Sequence, residues 1–316
     1  MLEIYDKRIR SRYMAKKIGA LIVLYEPDVS GFKSTFDSLL SQVDGFCIVD
    51  NSIESHSSWF EGMDNVIYLP LFKNIGIAAA QNIGIEKLRD AGYEYILFAD
   101  QDSIAFPDLV EKLYSAYQLL VNNGFKISIV GCKAIDKEKG FVYNSNNVQK
   151  YRQFDICGRV FVHVDYVRNS ISLTKIDIID KVGGMDEQLF IDGVDCEWCW
   201  RAKCKFGLMT ISVNDAYIYH SLGHNGFKVL NKFVTIPASF RLFYQYRNYF
   251  WLLRRDYVPL RWKVRNGIKY IVKVPYMTLF VPPRLSNLKN ICRGVIDGIT
   301  KKHNQEWHNI PIKKAS

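Results

Sequence analysis

The sequence lacks an uninterrupted apolar run of about 20 residues, the length that a helix needs to cross a lipid bilayer. The longest apolar stretch, 268–281, is shorter and contains Lys269, Lys273 and Pro275. The first 17 residues are basic and charged throughout, unlike a secretory signal. The seven cysteines are odd in number and scattered, which argues against a disulfide framework and fits a reducing compartment. We therefore expect a cytoplasmic protein that lies on a membrane rather than spanning one.

Positive charge is concentrated in one part of the chain, whose net charge is +10. Residues 225–316 hold 18 Lys and Arg against three Asp and Glu, whereas residues 1–224 hold 24 against 29. A basic segment beside an acidic body predicts an anionic partner, either nucleic acid or an anionic membrane surface. The basic residues alternate with bulky apolar and aromatic ones, and no nucleic-acid motif appears, which favours the membrane. A basic nucleic-acid-binding module is the non-enzyme alternative.

Short apolar runs alternate with helical segments from residue 18 onward. The predicted strands are 18–25, 46–50, 66–71, 95–99 and 127–132. The predicted helices run from an N-cap at Ser30 to about Gln42, from Gly76 to Asp90, and from Pro107 to about Val121. Apolar runs without polar alternation are typical of parallel strands buried on both faces. The fold class is therefore α/β, with a Rossmann-like, mostly parallel sheet.

The regular alternation ends near residue 150. We expect a helix from Val194 to Lys205, a strand from Leu208 to Val213, and basic, aromatic-rich helices beyond Pro237. The chain then divides into a basic leader (1–17), an α/β domain (18–224) and a helical, membrane-associating region (225–316).

Two carboxylates, Asp100 and Asp102, follow the fourth predicted strand. In a parallel α/β sheet, ligands gather at the carboxyl ends of the strands, and two carboxylates there can hold a divalent cation and, through it, a diphosphate. The structural alternative is that acidic residues simply begin a loop. Because the pair directly follows an apolar strand, a metal site and an ordinary loop start are about equally good interpretations.

Polar residues also follow the second and third predicted strands. Asp50 and Asn51 suit hydrogen bonds to a base or ribose, although Asx residues equally make turns. Lys73, Asn74 and Gln81 flank small residues at a helix start, where a ligand can approach the backbone closely. Tight packing of that helix on the sheet would explain the small residues equally well.

A third acidic group lies at the start of the helix predicted at Val194. Asp195 is either a general base or the N-cap of that helix, with Asp192 and Glu197 next in line as bases. Glu197 could simply pair with Arg201 on the helix surface.

A zinc site is the alternative use of the nearby cysteines, Cys196, Cys199 and Cys204, with His220 and His224. Their spacing exceeds that of a zinc finger, so we favour cysteines as small core residues.

Together these segments resemble the inverting, nucleotide-sugar-dependent glycosyltransferases of the GT-A fold (family 2 type), in the branch that contains bacterial rhamnosyltransferases. The matching segments are ALIVLY at 20–25, VDNS at 49–52, KNIGIAAAQNIGI at 73–85, DQDS at 100–103, GGMDE at 183–187 and FIDGVDCEW at 190–198. Each is weak alone, but their order and spacing over residues 17–224 are specific.

The resemblance implies a role for each candidate residue. The donor would contact Tyr25, Asp50, Asn51, Lys73, Asn74, Gln81 and Asp100. Mg²⁺ or Mn²⁺ would be held by Asp100, Asp102 and His220, and Asp195 would be the base. The resemblance further implies transfer of rhamnose from dTDP-rhamnose to a lipid-linked saccharide, in O-antigen or capsule synthesis on the inner face of the cell membrane. UDP-galactofuranose or another UDP-hexose is the alternative donor.

Overall fold

The computed structural model describes residues 17–136, 142–143, 152–168, 170–220, 226–229, 232–301 and 303. The predicted basic leader lies outside these ranges apart from Lys17, as does His224 of the zinc alternative. Secondary structure is assigned to His220, but its side chain is also outside the description.

Four adjacent parallel strands position the polar residues of the candidate site. They are β1 (Ile18–Leu24), β2 (Gly45–Asp50), β3 (Val66–Pro70) and β4 (Tyr95–Ala99), in the order β3-β2-β1-β4. The register pairs Leu24 with Asp50, and Ile22 with Ala99. The carboxyl ends of these strands therefore meet at one edge, as the sequence predicts.

Beyond β4 the sheet becomes mixed. The further strands are β5 (Ser103–Ala105), β6 (Ile127–Asp136), β7 (Val142–Tyr143), β8 (Arg152–Ile156), β9 (Arg159–Val164), β10 (Ile171–Lys175) and β11 (Met209–His220). β10 lies antiparallel between β4 and β6, and β11 runs parallel to β6. Within the described ranges these make an 11-stranded sheet, and β12 (Gly226–Val229) and β13 (Lys232–Thr235) form a separate antiparallel pair.

Helices cover both faces of the sheet. α1 (Val29–Leu39) and α3 (Leu109–Asn122) pack on one face, and α2 (Ile77–Asp90), α4 (Ile176–Val182) and α5 (Val194–Phe206) on the other. In β1, Ile22 and Leu24 face the first layer and Leu21 the second, which explains the continuous apolar run.

The predicted N-cap of α1 is wrong. Asp28 caps the helix by accepting from Gly31 N at 2.7 Å, and Ser30 donates its hydroxyl to the same carboxylate. The negative charge of Asp28 suits a helix N-terminus better than a hydroxyl does.

The last helices of the described residues are α6 (Ser239–Leu253), α7 (Leu260–Leu279) and α8 (Arg284–Thr300). α6 and α8 touch closely, since a Cβ built on Gly294 would lie 2.4 Å from Phe243 O. The aromatic residues of these helices divide between packing and exposure: Tyr246 and Trp251 are buried, whereas Phe240 and Phe280 are exposed. None of the helices in the described part of the chain combines the length and the hydropathy required to cross a bilayer.

Candidate active site

The loop that carries Asp100 and Asp102 is fixed to the end of β1. Gln101 accepts from Tyr25 N at 2.9 Å and donates to Tyr25 O at 3.2 Å. Asp100 N donates to Ser170 O at 3.0 Å. The Gln101 side chain thus fixes the loop to the backbone of Tyr25. The residue Tyr25 itself is 44% exposed.

Asp50 lies in a hydrogen-bond network that the sequence did not reveal. Its carboxylate accepts from Tyr68 Oη at 2.6 Å and from Ser52 N at 3.1 Å, and it lies 2.7 Å from His56 Nδ1. Burial alone would raise its pKa, but the bonds from Tyr68, His56 and Ser52 outweigh burial and lower it. Asp50 is therefore ionised and oriented at the end of β2. The strand position of Asp50 was the available signal, whereas Tyr68 and His56 are distant in sequence.

Asn51 shapes the loop before α2. Its amide nitrogen donates to Asn74 Oδ1 at 3.0 Å, and its oxygen accepts from Ile75 N at 2.9 Å. Gly76 follows with φ of +87°, and a Cβ there would lie 2.6 Å from the Phe190 ring. Gly76 is therefore required by its close contact with Phe190, and Asn51 and Asn74 lie side by side before the helix.

The first amide groups of α2 are already used by the protein. Ile77 N donates to Phe190 O at 2.8 Å. Lys73 is exposed just before the helix. Gln81 is 5% exposed, and within the described residues its Oε1 has no hydrogen-bond partner. A buried, unpaired amide oxygen is costly, so Gln81 suits a site where a ligand supplies the donor.

The backbone register brings two of the three predicted metal ligands, Asp102 and His220, to adjacent positions. β5 pairs with the end of β11, and Ser103 lies opposite His220. Asp102 immediately precedes Ser103, so its backbone lies beside that of His220. Two carboxylates and an imidazole are a donor set that fits Mg²⁺ or Mn²⁺. Considering only described side chains, which exclude that of His220, no group of three metal-ligating residues is assembled.

Asp195 is not the N-cap of α5, because Gly193 holds that position with φ of +96°. Asp195 lies in the first turn, and its Oδ1 accepts from Cys196 N at 3.0 Å. Burial and the charge of Asp100 raise its pKa, while the Cys196 bond and Arg168 oppose the rise. The balance of these contributions, rather than the helix terminus alone, sets the pKa of Asp195. A raised pKa makes its ionised carboxylate a stronger proton acceptor.

Glu197 is committed to structure rather than chemistry. It forms a two-point ion pair with Arg201, both contacts at 3.0 Å, and both side chains are fully buried. The expectation of a surface pair is therefore wrong. Tyr257 Oη donates to Glu197 at 2.6 Å, and Arg255 lies 3.1 Å away. Because the Glu197 side chain is fully buried among these partners, an acceptor hydroxyl cannot reach it.

Asp186 of the GGMDE segment joins the same buried network. Its carboxylate is bonded to Arg255 and lies 3.0 Å from His303. Burial would raise the pKa of Asp186, but His303 and Arg255 lower it to about 2. The network ties the α/β domain to the C-terminal region.

Asp192 is also paired, here with a residue of α6. Arg241 donates to it at 2.6 and 3.2 Å, and Gln245 contacts it more weakly at 3.4 Å. Lys273 of α7 donates to Gln245 at 2.6 Å. Burial and the neighbouring Lys269 lower the pKa of Lys273 to about 8. Arg241, Gln245 and Lys273 were not predicted as site residues, because they lie about 50 to 80 positions beyond Asp192.

The cysteines differ in their surroundings. Cys199 is buried, Cys196 is partly buried and Cys204 is exposed. The interpretation as small core residues therefore suits Cys199 and does not suit Cys204.

Comparisons with known proteins identify the family and the fold of the chain. The sequence profile of "Glycosyl transferase family 2" matches residues 29–180. The dTDP-rhamnosyl transferase RfbF of Shigella flexneri is 30% identical over 296 residues, which cover 90% of this chain and 96% of RfbF.

Two solved structures share the fold. S. aureus TarS 1-349 matches with a TM-score of 0.55 and 13% identity over 90% of this chain and 81% of TarS. GalNAc-T7 with UDP, GalNAc and Mn²⁺ matches with a TM-score of 0.53 and 12% identity over 91% of this chain, which spans 56% of the GalNAc-T7 chain. The fold resemblance predicted from the sequence is confirmed, and the chain belongs to glycosyltransferase family 2.

Proposed function

We propose that this protein transfers rhamnose from dTDP-rhamnose to a saccharide acceptor with inversion at the sugar C1. The observation that carries the donor assignment is the 30% identity to a dTDP-rhamnosyl transferase over nearly the full length of both chains. The arrangement of Asp195 supports the mechanism, because neighbouring acids are neutralised by arginines and Asp195 is not paired with any basic side chain among the described residues.

The chemistry is a single displacement. The acceptor hydroxyl oxygen forms a bond to C1 of the sugar while the bond from C1 to the diphosphate oxygen breaks. The hydroxyl proton passes to the carboxylate of Asp195, and dTDP leaves with the bonding electrons. One displacement inverts C1 and requires no covalent intermediate, so no cysteine or serine nucleophile is needed.

The donor would lie along the strand ends. Support comes from the shared edge of β1, β2 and β4, and from the unpaired oxygen of Gln81. The donor-binding residues of the proposal are Tyr25, Asp50, Asn51, Lys73, Asn74, Gln81 and Asp100. Mg²⁺ or Mn²⁺ would be held by Asp100, Asp102 and His220, and would supply positive charge to the diphosphate leaving group.

The acceptor in this proposal is a lipid-linked saccharide of bacterial surface polysaccharide synthesis. The protein would work as a peripheral protein on the inner face of the cell membrane. Residues 18–224 would bind the donor and carry the base, and residues 225–316 would serve the acceptor side. Support comes from Arg241 and Lys273, which bring positive charge from two C-terminal helices to the rim beside Asp192.

A donor panel tests the proposal. Purified protein with Mn²⁺ or Mg²⁺ is offered dTDP-rhamnose, UDP-galactofuranose and UDP-GlcNAc, and both thermal stabilisation and slow donor hydrolysis are measured. We expect dTDP-rhamnose to give the largest stabilisation and the fastest release of nucleoside diphosphate. Preference for a UDP-sugar would overturn the donor assignment while leaving the reaction class in place.

A further inference from the structure

α7 exposes apolar side chains on the side that faces away from the protein. Six of them are 55% to 75% exposed: Leu260, Val264, Ile268, Ile271, Val272 and Leu279. At about 100° per residue they fall within a sector of about 120°, so they form one stripe. Met277 and Trp262 on the opposite side pack against the protein. α7 is therefore apolar on both its inner and its outer face.

α8 repeats this arrangement. Leu285, Leu288, Ile296 and Ile299 are 42% to 83% exposed and share one side of the helix. Its inner side carries Gly294 and Gly298 against α6. A soluble helix ordinarily turns its apolar side inward, so two consecutive helices with outward apolar stripes indicate a surface with an apolar partner.

Basic residues border the stripe on α7. The helix contains Arg261, Lys263, Arg265, Lys269 and Lys273 and no acidic residue. Arg261 and Arg265, with Leu260, Val264 and Ile268, line a shallow, open depression of about 600 Å³. Apolar side chains bordered by arginines match the two chemical layers of an anionic lipid surface.

We propose that the outer faces of α7 and α8 dock on an anionic lipid bilayer, with the aliphatic stripes among the acyl chains and the arginines at the phosphates. Charge disfavours the other occupants. A second copy would present the same basic face. By sequence, residues 1–16 carry a net charge of +3 and residues 304–316 of +1, so neither segment of this chain complements the surface.

The role of this docking rests on the proposed function, because it would bring the active site to a lipid-linked acceptor. Lys273 of α7 points toward the protein and donates to Gln245. Gln245 in turn contacts Asp192, which lies three positions before Asp195. α7 therefore runs along the rim of the active site. A lipid-linked acceptor would approach along the bilayer surface, and its phosphates would meet Lys269 and Lys273 first.

Vesicle flotation tests the docking surface. The full chain is mixed at low salt with vesicles of phosphatidylcholine alone or with added phosphatidylglycerol. We expect binding to the anionic vesicles that weakens with salt. The double variant Arg261→Gln with Arg265→Gln should bind anionic vesicles about 25-fold more weakly, since each basic residue near an anionic leaflet raises the affinity about fivefold. Ile268→Glu with Ile271→Glu should weaken it at least about tenfold, because both side chains would carry charge into the acyl layer.

Val121→Glu on α3 is the matched control, because Val121 is also an exposed aliphatic residue of a helix. It should bind vesicles like the parent, and all variants should melt like the parent, since the altered side chains are exposed. Parent protein that ignores anionic vesicles, or equal loss in Val121→Glu, would overturn the proposal. A parent dimer that Ile268→Glu with Ile271→Glu converts to monomer would assign the face to a second copy instead.

Hydrolysis of dTDP-rhamnose in solution separates this proposal from the proposed function. It should be unchanged in the α7 variants, whose residues lie outside the site. Vesicle binding without any hydrolysis of dTDP-rhamnose by the parent would refute the donor assignment alone. Hydrolysis without vesicle binding would refute the docking surface alone.

Discussion

Two regions at the start of α5 hold carboxylates of the same kind in opposite surroundings. On the buried side, Glu197 is held by Arg201, Arg255 and Tyr257. On the active-site side, Asp195 accepts a backbone hydrogen bond and, within the described ranges, forms no ion pair. Only two positions thus separate a carboxylate that is held in an ion-pair network from the carboxylate that we propose as the base. The number and charge of the partners, rather than the acidic residue itself, indicate the role.

The largest expected effect lies on the active-site side, at the proposed metal ligands. Asp102→Asn, or excess chelator on the parent, should abolish transfer, a loss on the order of 10³-fold or more, because the diphosphate leaves with uncompensated charge. Transfer rates and stabilisation by Mn²⁺ are the measurements. Asp64→Asn, at an exposed acid elsewhere, is the control and should remain active. Full activity in excess chelator would refute metal dependence.

Asp195→Asn tests the reactive half of the comparison directly. Asparagine keeps the shape of the side chain but cannot take the proton, so transfer should fall about 10²- to 10⁴-fold. Circular dichroism melting and donor binding should stay close to those of the parent. More than about a third of wild-type turnover would show that another group is the base, and Asp192 would be the next to test.

Glu197→Gln tests the structural half. It leaves Arg201 and Arg255 buried without their shared counter-charge, so the free energy of unfolding should fall by about 3–5 kcal/mol. Urea denaturation measures this change. Turnover per folded molecule should remain within a few-fold of the parent. A variant that folds normally but loses turnover would reverse the two roles.

The smallest expected effect is a shift in pH dependence. Because burial and Asp100 raise the pKa of Asp195, the acid limb of kcat/KM should lie above the ordinary Asp range of about 3.9. Activity should appear as pH rises through that limb, where the carboxylate ionises. Arg168 lowers this pKa, so Arg168→Gln should move the limb to higher pH. An unmoved limb would assign it to another group.

The sequence predicted the parts of the fold that depend on local pattern. Continuous apolar runs located the strands from β1 to β4, and the placement of Asp50, Asn51 and Asp100 at their ends follows from parallel topology. The antiparallel insertion of β10 left no comparable pattern, because four of its five residues are buried like those of the neighbouring parallel strand β4.

The partners of the site residues were beyond sequence reasoning. Glu197 resembles half of an ordinary i, i+4 surface pair, and nothing local indicates that Arg255 and Tyr257 close over it from 58 and 60 positions away. Tyr68 and His56, the partners of Asp50, were equally impossible to identify from the local sequence. Such contacts are decided by how whole helices pack, which single-sequence periodicity does not encode.

Phe190 has a consequence for recombining this enzyme with its relatives. Its carbonyl accepts from Ile77 N at the start of α2, while its ring stacks on Tyr244 of α6 at 4.5 Å. A chimera that exchanged only residues 225–316 would strip Phe190 of that stacking partner, and Asp186 and Glu197 of their arginine. A graft that carries residues 183–303 as one segment keeps the Phe190–Tyr244 stacking and the contacts of Arg255 with Asp186 and Glu197. The segment that can be exchanged without breaking these contacts therefore begins at the GGMDE segment.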